Sequence, residues 1–462
     1  MLNLMQAASA INGRTQASGS QVQNSDVVFT GVSTDSRAIR PGDLFVALRG
    51  ERFDAHEFVS QAIVQGAAAA LVERAEVEKR GEAWKGLPLI VVNDTRLALG
   101  QLAAFWRGRQ NIKLVAVTGS NGKTTVKEML AAILRKAAGE EAVLATQGNL
   151  NNDIGMPLTL LKLRAQHKFA VIEMGMNHPG EIAYLTGIAR PDVAVINNAG
   201  AAHLAGLGSV EQVARAKGEI FQGLAADGVA VINNDDAFAP LWKELACNHT
   251  MIGFGLERPA QVSATYQPGP LGSELQLRTP AGEFAASLRV PGVHNVRNAL
   301  AAAAAATALG IAPQAIAAGL HEFGGVKGRL QRKAGLHGAA LIDDTYNANP
   351  ASVKAAIAVL ANVPGRKILV LGDMGELGPD AVSLHRELGA AARQAGVDIL
   401  FALGDVSREA AMEFGENAWF FERIQELLAD LENLLAPDVT VLVKGSRFMQ
   451  MERVIKSFEA EA

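Results

Sequence analysis

The sequence predicts an α/β protein of three units, and three observations carry that expectation. Between residues 95 and 325, β-branched apolar runs alternate with helix-patterned stretches, the signature of a parallel sheet covered by helices. The same alternation restarts near Val326 and continues through the rest of the chain. The 462 residues also exceed what one core organises and suit about three domains of ~150 residues each. The expected units are residues 1–94 (small, α/β), 95–325 (a parallel sheet with an antiparallel insert) and 326–462 (Rossmann-like α/β). Alanine and glycine are abundant and aromatic residues make up only 5%, which suits helices lying close on sheets.

In the first unit, residues 27–32 read as a strand running into Ser33-Thr-Asp-Ser-Arg37. Pro41-Gly42 marks a turn before a strand at 44–48. Phe58, Ala62, Ile63 and Gly66 keep helical spacing, and 68–72 and Leu89–Val92 read as further strands. In the second unit, strands at 114–117, 169–172 and Val193–Ile196 end on Thr118, on Glu173, and on Asn197 with Asn198. A strand at 142–145 runs into an amide-rich loop. Ligands of open parallel sheets lie beyond the carboxyl ends of the strands, so these endings converge on one edge. Residues 250–290 alternate differently, with short strands at 273–277 and 284–290, and form the expected antiparallel insert. The uncharged run 298–320 is broken by Gly310 and Pro313, so it reads as a helix pair rather than a membrane span. In the third unit, strands at 341–342, 368–371, Ile399–Leu403 and 439–443 end on Asp343-Asp344, Gly372-Asp373, Gly404-Asp405 and Lys444.

The stretch Lys113-Leu-Val-Ala-Val-Thr-Gly-Ser-Asn-Gly-Lys-Thr-Thr125 carries the most chemistry. A buried strand passes through a glycine turn into a helix with apolar residues at Val126, Met129, Leu130, Ile133 and Leu134. Gly119 and Gly122 let the main chain curl around an anion, with Ser120 and Asn121 between them. The helix start adds partial positive charge, Lys123 a full one, and Thr124, followed by Thr125, a hydroxyl for Mg²⁺. Val117 stands where the common phosphate-loop pattern has its first glycine, leaving a tighter T-G-x-N-G-K-T-T variant. The chain is expected to bind a nucleoside triphosphate.

A net charge of −4 and the absence of a dense Lys/Arg run give no footprint for nucleic acid. A single cysteine, Cys247, excludes an internal disulfide, fits a reducing cytoplasm, and reads as a small buried hydrophobe. Residues 1–20 lack a basic start followed by an apolar stretch, so no signal peptide is expected.

Among single residues, Glu173 ends a buried strand where Mg²⁺ on a triphosphate needs an oxygen ligand, and His203 follows the neighbouring strand. Lys217, on a helix, reads by sequence physics alone as a solvated surface charge. Asn149, Asn151 and Asn152 form an amide loop that suits a polar substrate or a turn equally. The cluster from Asp343 to Asn349 reads either as a ligand-binding strand end or as a helix cap before Ser352, and Asp373 has the same two readings.

Together these pieces resemble the Mur ligase family, whose members add amino acids to the peptide of the bacterial cell-wall precursor. The resemblance spans essentially the whole chain. It rests on Thr-Asp-Ser-Arg37, Pro41-Gly-Asp-Leu-Phe-Val-Ala-Leu48, Gly50-Glu-Arg-Phe-Asp-Ala-His56 and the phosphate loop. It continues through Gly148-Asn-Leu-Asn-Asn-Asp-Ile-Gly155, Glu173-Met-Gly, Ala202-His-Leu204 and Ala216-Lys-Gly-Glu-Ile-Phe221. Pro291-Gly-Val-His-Asn295, Asp343-Asp-Thr-Tyr-Asn-Ala-Asn349 and Val443-Lys-Gly-Ser-Arg447 complete it. No G-x-G-x-x-G lies near the N-terminus, unlike the member that starts the peptide. Asn349-Pro350 is followed by Ala351, not by the Arg of the diaminopimelate-adding member. Both absences point to the member that joins D-alanyl-D-alanine to a UDP-MurNAc-tripeptide.

The resemblance implies roles. Ser36 and the loop around it, Arg37 included, would hold the uridine diphosphate, and Asn149 and Asn152 would contact substrate. Lys123 and Thr124 would bind the ATP phosphates and Mg²⁺, with Glu173 and His203 completing the metal sites. Lys217 would be carbamylated and position a second Mg²⁺, reversing the surface reading. His294 and Asn295 would lie near adenine, Arg329 and Asp344 would reach the nucleotide from the third unit, and Asn347 and Asn349 would lie near the dipeptide. A cytoplasmic monomer with no nucleic-acid partner and no membrane insertion is implied. Three other readings compete: a folate-polyglutamate type of ligase, which would not need the unit ahead of the phosphate loop, a nucleotide-driven switch, and a kinase.

Overall fold

The computed structural model describes residues 1–16, 27–51, 53–200, 204–269 and 272–460. Its centre is a six-stranded, wholly parallel sheet. The strand order is Thr250–Phe254, Val229–Asn233, Val193–Ile196, Lys113–Thr118, Phe169–Glu173, Val143–Ala145. The phosphate-loop strand Lys113–Thr118 is thus central, between the strands that end on Glu173 and Asn197.

Alternate residues of each strand point to opposite faces. Leu114, Ala116, Ala170, Ile172, Ala194 and Ile196 enter one core, shared with Leu99 and Leu102 of the helix Thr95–Gly108. Val115, Val117, Val171, Val193 and Val195 enter the other, under the helices Lys123–Ala138 and Val293–Ala308. The second of those helices carries the run Ala301 to Ala306 with every alanine fully buried, so it lies against its neighbours at backbone range. The helix Pro313–Glu322 comes closer still: a Cβ on Gly319 would sit 2.3 Å from the Cα of Ile133. The run 298–320 is therefore a helix pair, as the Gly310 and Pro313 breaks imply. Among the described residues no helix is long and apolar enough to cross a membrane.

The N-terminal sheet has five strands, Arg14–Gln16, Leu89–Val92, Ala69–Glu73, Asp43–Val46 and Gly31–Ser33 in order, with only the first antiparallel. Its Leu44, Leu71 and Ile90 join the same core as the helix Thr95–Gly108, whose start is capped by Asp94. The C-terminal sheet has six strands, Gln331–Ala334, Ala340–Asp344, Val439–Lys444, Arg366–Gly372, Ile399–Leu403 and Ala418–Phe421, again with only the first antiparallel.

Three expectations change. The strand expected over 27–32 is two short ones, Val28–Phe29 and Gly31–Ser33, because Thr30 N turns aside to bond Gly42 O. The insert is narrower than 250–290: Thr250–Phe254 pairs in parallel as the edge of the central sheet. The antiparallel sheet comprises Ser263–Pro268, Ser273–Thr279 and Gly282–Leu288. Cys247 is exposed rather than buried, because it lies just past the end of the helix Ala239–Leu245.

Candidate active site

The carboxyl ends of the central and C-terminal sheets face a common cleft of about 2200 Å³. On the central side the loop from Thr118 to Lys123 is shaped by Gly119 (φ +155°) and Gly122 (φ +78°). A Cβ on Gly122 would come within 2.3 Å of the Asn298 amide oxygen, so this position needs glycine for space as well as for φ. Asparagines hold the loop from below. Asn121 N donates to Asn198 Oδ1 (2.8 Å), and Asn197 and Asn198 donate from Nδ2 to Asn121 O (2.9 and 3.0 Å). Asn197 Nδ2 also donates to Asn298 Oδ1 (2.9 Å), and Asn298 Nδ2 donates to Asn295 Oδ1 (3.3 Å). Ser120 accepts from Gly200 N at 2.9 Å. Lys123 Nζ folds back on Gly119 O at 2.7 Å, and burial lowers its pKa.

Thr124 Oγ1 donates to Glu173 Oε2 at 2.8 Å, and Asn151 donates to Glu173 Oε1 at 2.8 Å. Glu173 is buried, its own N–H bonded to Thr146 Oγ1. This pair of adjacent hard oxygens fits a magnesium ion, which takes one or two protein oxygens and fills its octahedron with water and phosphate. Among the described residues no three His, Cys, Asp or Glu side chains converge as a metal cage. His203 lies outside the described residues. Lys217 is fully buried, against the surface reading that the sequence alone favours, and it has no hydrogen-bond partner among the described residues. Burial, reinforced by the charge of Lys123, pushes its pKa well below the usual lysine range.

The C-terminal unit reaches across. Arg329 Nη2 donates to Thr124 Oγ1 (3.0 Å), while its guanidinium lies 4.4 Å from the centre of the Tyr346 ring and its Nε is buried without a partner. Asp344 is bonded by Lys444 Nζ (2.6 Å) and by Leu330 N (3.2 Å); burial raises its pKa and the lysine opposes that. His294 faces this pair from the central unit. Burial, with the Lys444 and Arg297 charges, lowers its pKa to about 4, so the ring is neutral at pH 7. Asn349 caps the helix Pro350–Ala361 through Ser352 N (2.9 Å) and donates from Nδ2 to Asn121 Oδ1 (2.8 Å). Both of its amide ends are therefore engaged, and the cluster from Asp343 to Asn349 caps this helix and also lines the cleft. Asn347 is exposed at the cleft, and its carbonyl holds Lys444 (2.9 Å).

Asn149 and Asn152 line the cleft, Asn152 with its Oδ1 turned to Gly155 N (2.8 Å). Thr125 lines it too, buried at the helix start. Ser36 and Arg37 are not brought there. They sit in a short turn after the outer strand of the N-terminal sheet, where Arg37 forks onto Asp35 with two 2.9 Å bonds. Asp373 is a local brace, accepting from Ser407 N at 2.7 Å. Sequence reasoning missed Lys127 and Asn298. Lys127 is fully buried and donates to Thr146 O (2.6 Å) and Glu128 (2.5 Å) behind Glu173. Its signal was position: four residues after Lys123, it shares that lysine's helix face.

Three family models match the chain: "Mur ligase family, catalytic domain" over residues 28–107, "Mur ligase middle domain" over 117–306, and "Mur ligase, glutamate ligase domain" over 328–447. The UDP-N-acetylmuramoyl-tripeptide–D-alanyl-D-alanine ligase of Escherichia coli is 41% identical over 466 residues, covering 99% of this chain and 98% of that protein. A crystal structure of MurF from Acinetobacter baumannii superposes with a TM-score of 0.90 at 39% identity, over 99% of this chain and 98% of that one. The MurF ligase of Thermotoga maritima in complex with ADP superposes with a TM-score of 0.82 at 29% identity, over 93% and 97%.

Proposed function

The chain belongs to the Mur ligase family, and from that premise we propose that it joins D-alanyl-D-alanine to UDP-N-acetylmuramoyl-tripeptide at the expense of ATP. The products are ADP, phosphate and the UDP-MurNAc-pentapeptide of peptidoglycan synthesis. Near-full-length relatives bearing that activity in their names support the substrate pair. The observation that carries the chemistry is the phosphate loop opening on a cleft whose far wall belongs to another sheet.

A carboxylate is too poor an electrophile for an amine at neutral pH. Transfer of the γ-phosphoryl group makes it an acyl phosphate, which the dipeptide amine attacks. A tetrahedral intermediate then expels phosphate. In-line placement of such reactants contributes ~7–11 kcal/mol to lowering the barrier. Lys123 and the loop N–H groups hold the phosphates, and Thr124 and Glu173 would hold magnesium, with His203 as a further ligand. Bound magnesium supplies Lewis-acid charge neutralisation. Arg329 and Asp344 meet the nucleotide from the C-terminal unit, and His294 and Asn295 lie toward the base. Burial and the Lys123 charge favour the uncharged amine of Lys217, the form that takes up CO₂ with loss of a proton to give a carbamate. Its isolation beside Lys123 supports the carbamylated, magnesium-positioning reading. Ser36 and Arg37 would take the uridine diphosphate at the N-terminal sheet, with Asn149, Asn152 and Asn347 on the acceptor's path. The units 1–94, 95–325 and 326–462 would act as uridine-nucleotide, ATP and dipeptide modules of a cytoplasmic monomer.

Phosphate release with ATP, Mg²⁺ and UDP-MurNAc-tripeptide tests the reading, with D-alanyl-D-alanine or single amino acids added. Release that depends on the dipeptide, with a product heavier by that unit, is expected. Release with a single amino acid moves the step within the family, and release indifferent to every acceptor refutes the ligase. For Lys217→Ala, loss of activity partly restored by short-chain carboxylates is expected; full activity without them sinks the carbamate.

A further inference from the structure

Building on the ligase reading above, we propose that Arg447 and Phe448 form the seat for the carboxylate end of the incoming dipeptide. The dipeptide attacks through its amine, so that end lies toward the phosphate loop. Its one permanent charge, the terminal carboxylate, then lies a dipeptide length away and needs a cation in the cleft wall. Of the other cations there, Lys127 is committed to Thr146 O, Arg329 to Thr124 and Lys444 to Asp344, while Lys327 and Lys456 also line the cleft but, as single ammonium groups, offer a carboxylate no planar fork. Arg447 differs. Its side chain is 62% exposed, and Glu452, at 3.0 Å from Nη1, is its one partner among the described residues. A guanidinium held on one edge presents its remaining N–H groups as a planar fork for a second carboxylate.

The surroundings fit the rest of the ligand. Ser446, the preceding residue, ties three strand-end loops together: it accepts from Gly375 N (2.9 Å) and donates to Ala348 O (3.2 Å). The residue after Ala348 is Asn349, whose Nδ2 bonds Asn121 in the phosphate loop. Arg447 therefore stands at the end of a short hydrogen-bonded path from the loop where the amine reacts. Phe448 is 64% exposed yet lines the cleft, and its ring lies so close to Gly375 that a Cβ there would approach it to 3.0 Å. That ring gives two alanine methyl groups an apolar surface. Glu452 lines the same wall, and its Oε2 is buried with no donor.

Kinetics with the terminal carboxylate intact or replaced by a carboxamide test the seat. Wild type is expected to turn over D-alanyl-D-alanine amide with kcat/KM ~100-fold below the free acid, the scale of a charge-assisted bidentate pair. In Arg447→Ala, KM for the dipeptide rises by a similar ~100-fold, discrimination between acid and amide falls below ~3-fold, and KM for ATP and for the UDP substrate stays within ~2-fold. Arg447→Lys keeps the charge without the fork and retains part of the discrimination. Undiminished acid-over-amide preference in both variants overturns the seat and leaves the ligase standing. Absence of dipeptide-dependent phosphate release from wild type overturns both.

Discussion

Two sheets meet the cleft with different kinds of edge. The central sheet presents main chain and amides: a glycine loop whose shape is held by Asn197, Asn198 and Asn298, with one folded-back lysine. The C-terminal sheet presents charges on long side chains, Lys444 on Asp344, Arg329 on Thr124 and Arg447 on Glu452. Short amides tied to one another resist displacement. Long charged side chains reach across a gap and can be re-paired. The contrast divides the labour: the first edge grips phosphates in fixed geometry, and the second brings partners to that grip.

The division is broken most directly at Lys123. Lys123→Ala removes the only full charge of the phosphate loop, and kcat for phosphate release is expected to fall ~10³-fold with the thermal midpoint little changed. A drop confined to KM for ATP would mean that the grip is mere binding.

The border between the edges is tested by acid. His294 titrates at about 4 in the fold and near 6.5 unfolded, so the unfolded chain binds the extra proton between those values. Its contribution is whole above pH 6.5 and is lost as pH falls toward 4, up to about 3 kcal/mol. Urea titrations at pH 7 and pH 4.5 should show the loss, and His294→Asn should flatten it. An unchanged slope with pH in that variant would move the cause elsewhere.

A smaller effect sharpens the contrast from the charged side. Arg329→Ala is expected to lower kcat ~10-fold while leaving stability in place, since the contact lies between sheets rather than within one. Smallest of all, Asn349→Ala should cost about 1 kcal/mol through the lost helix cap. Asn349→Asp keeps the cap and removes only the donor to Asn121, so it should recover the stability and slow the reaction. Identical behaviour of the two variants would mean that the link between the edges carries nothing beyond the cap.

The two edges were also unequally legible in the sequence. The phosphate loop is a local event, with strand, glycines, lysine and hydroxyl inside thirteen consecutive residues, and it could be read without any knowledge of packing. Strand endings were legible for the same reason, since a β-branched run stopping on Asp, Asn or Glu is a local pattern. Lys217 was not, because nothing in a helical lysine announces that the fold will close over it. Asn349 and Asn121 are separated by more than two hundred positions, and their bond follows from how two sheets face each other. Thr250–Phe254 falls inside the expected insert because an edge strand and a hairpin strand share one alternating pattern, and only the pairing separates them. Cys247 shows the reverse error: a residue type that is usually buried lies here at a helix end on the surface.

The hydroxyl of Thr124 belongs to both edges at once. It spends its proton on Glu173 and accepts from Arg329, which leaves one lone pair for anything else. A ligand that needs that oxygen bargains with a guanidinium anchored more than two hundred residues away. Reciprocity then applies: whatever factor the ligand takes from the interdomain contact, the contact takes from the ligand. The Thr124 oxygen is thus an atom of exchange between the sheets, and its occupancy reports to each what the other holds.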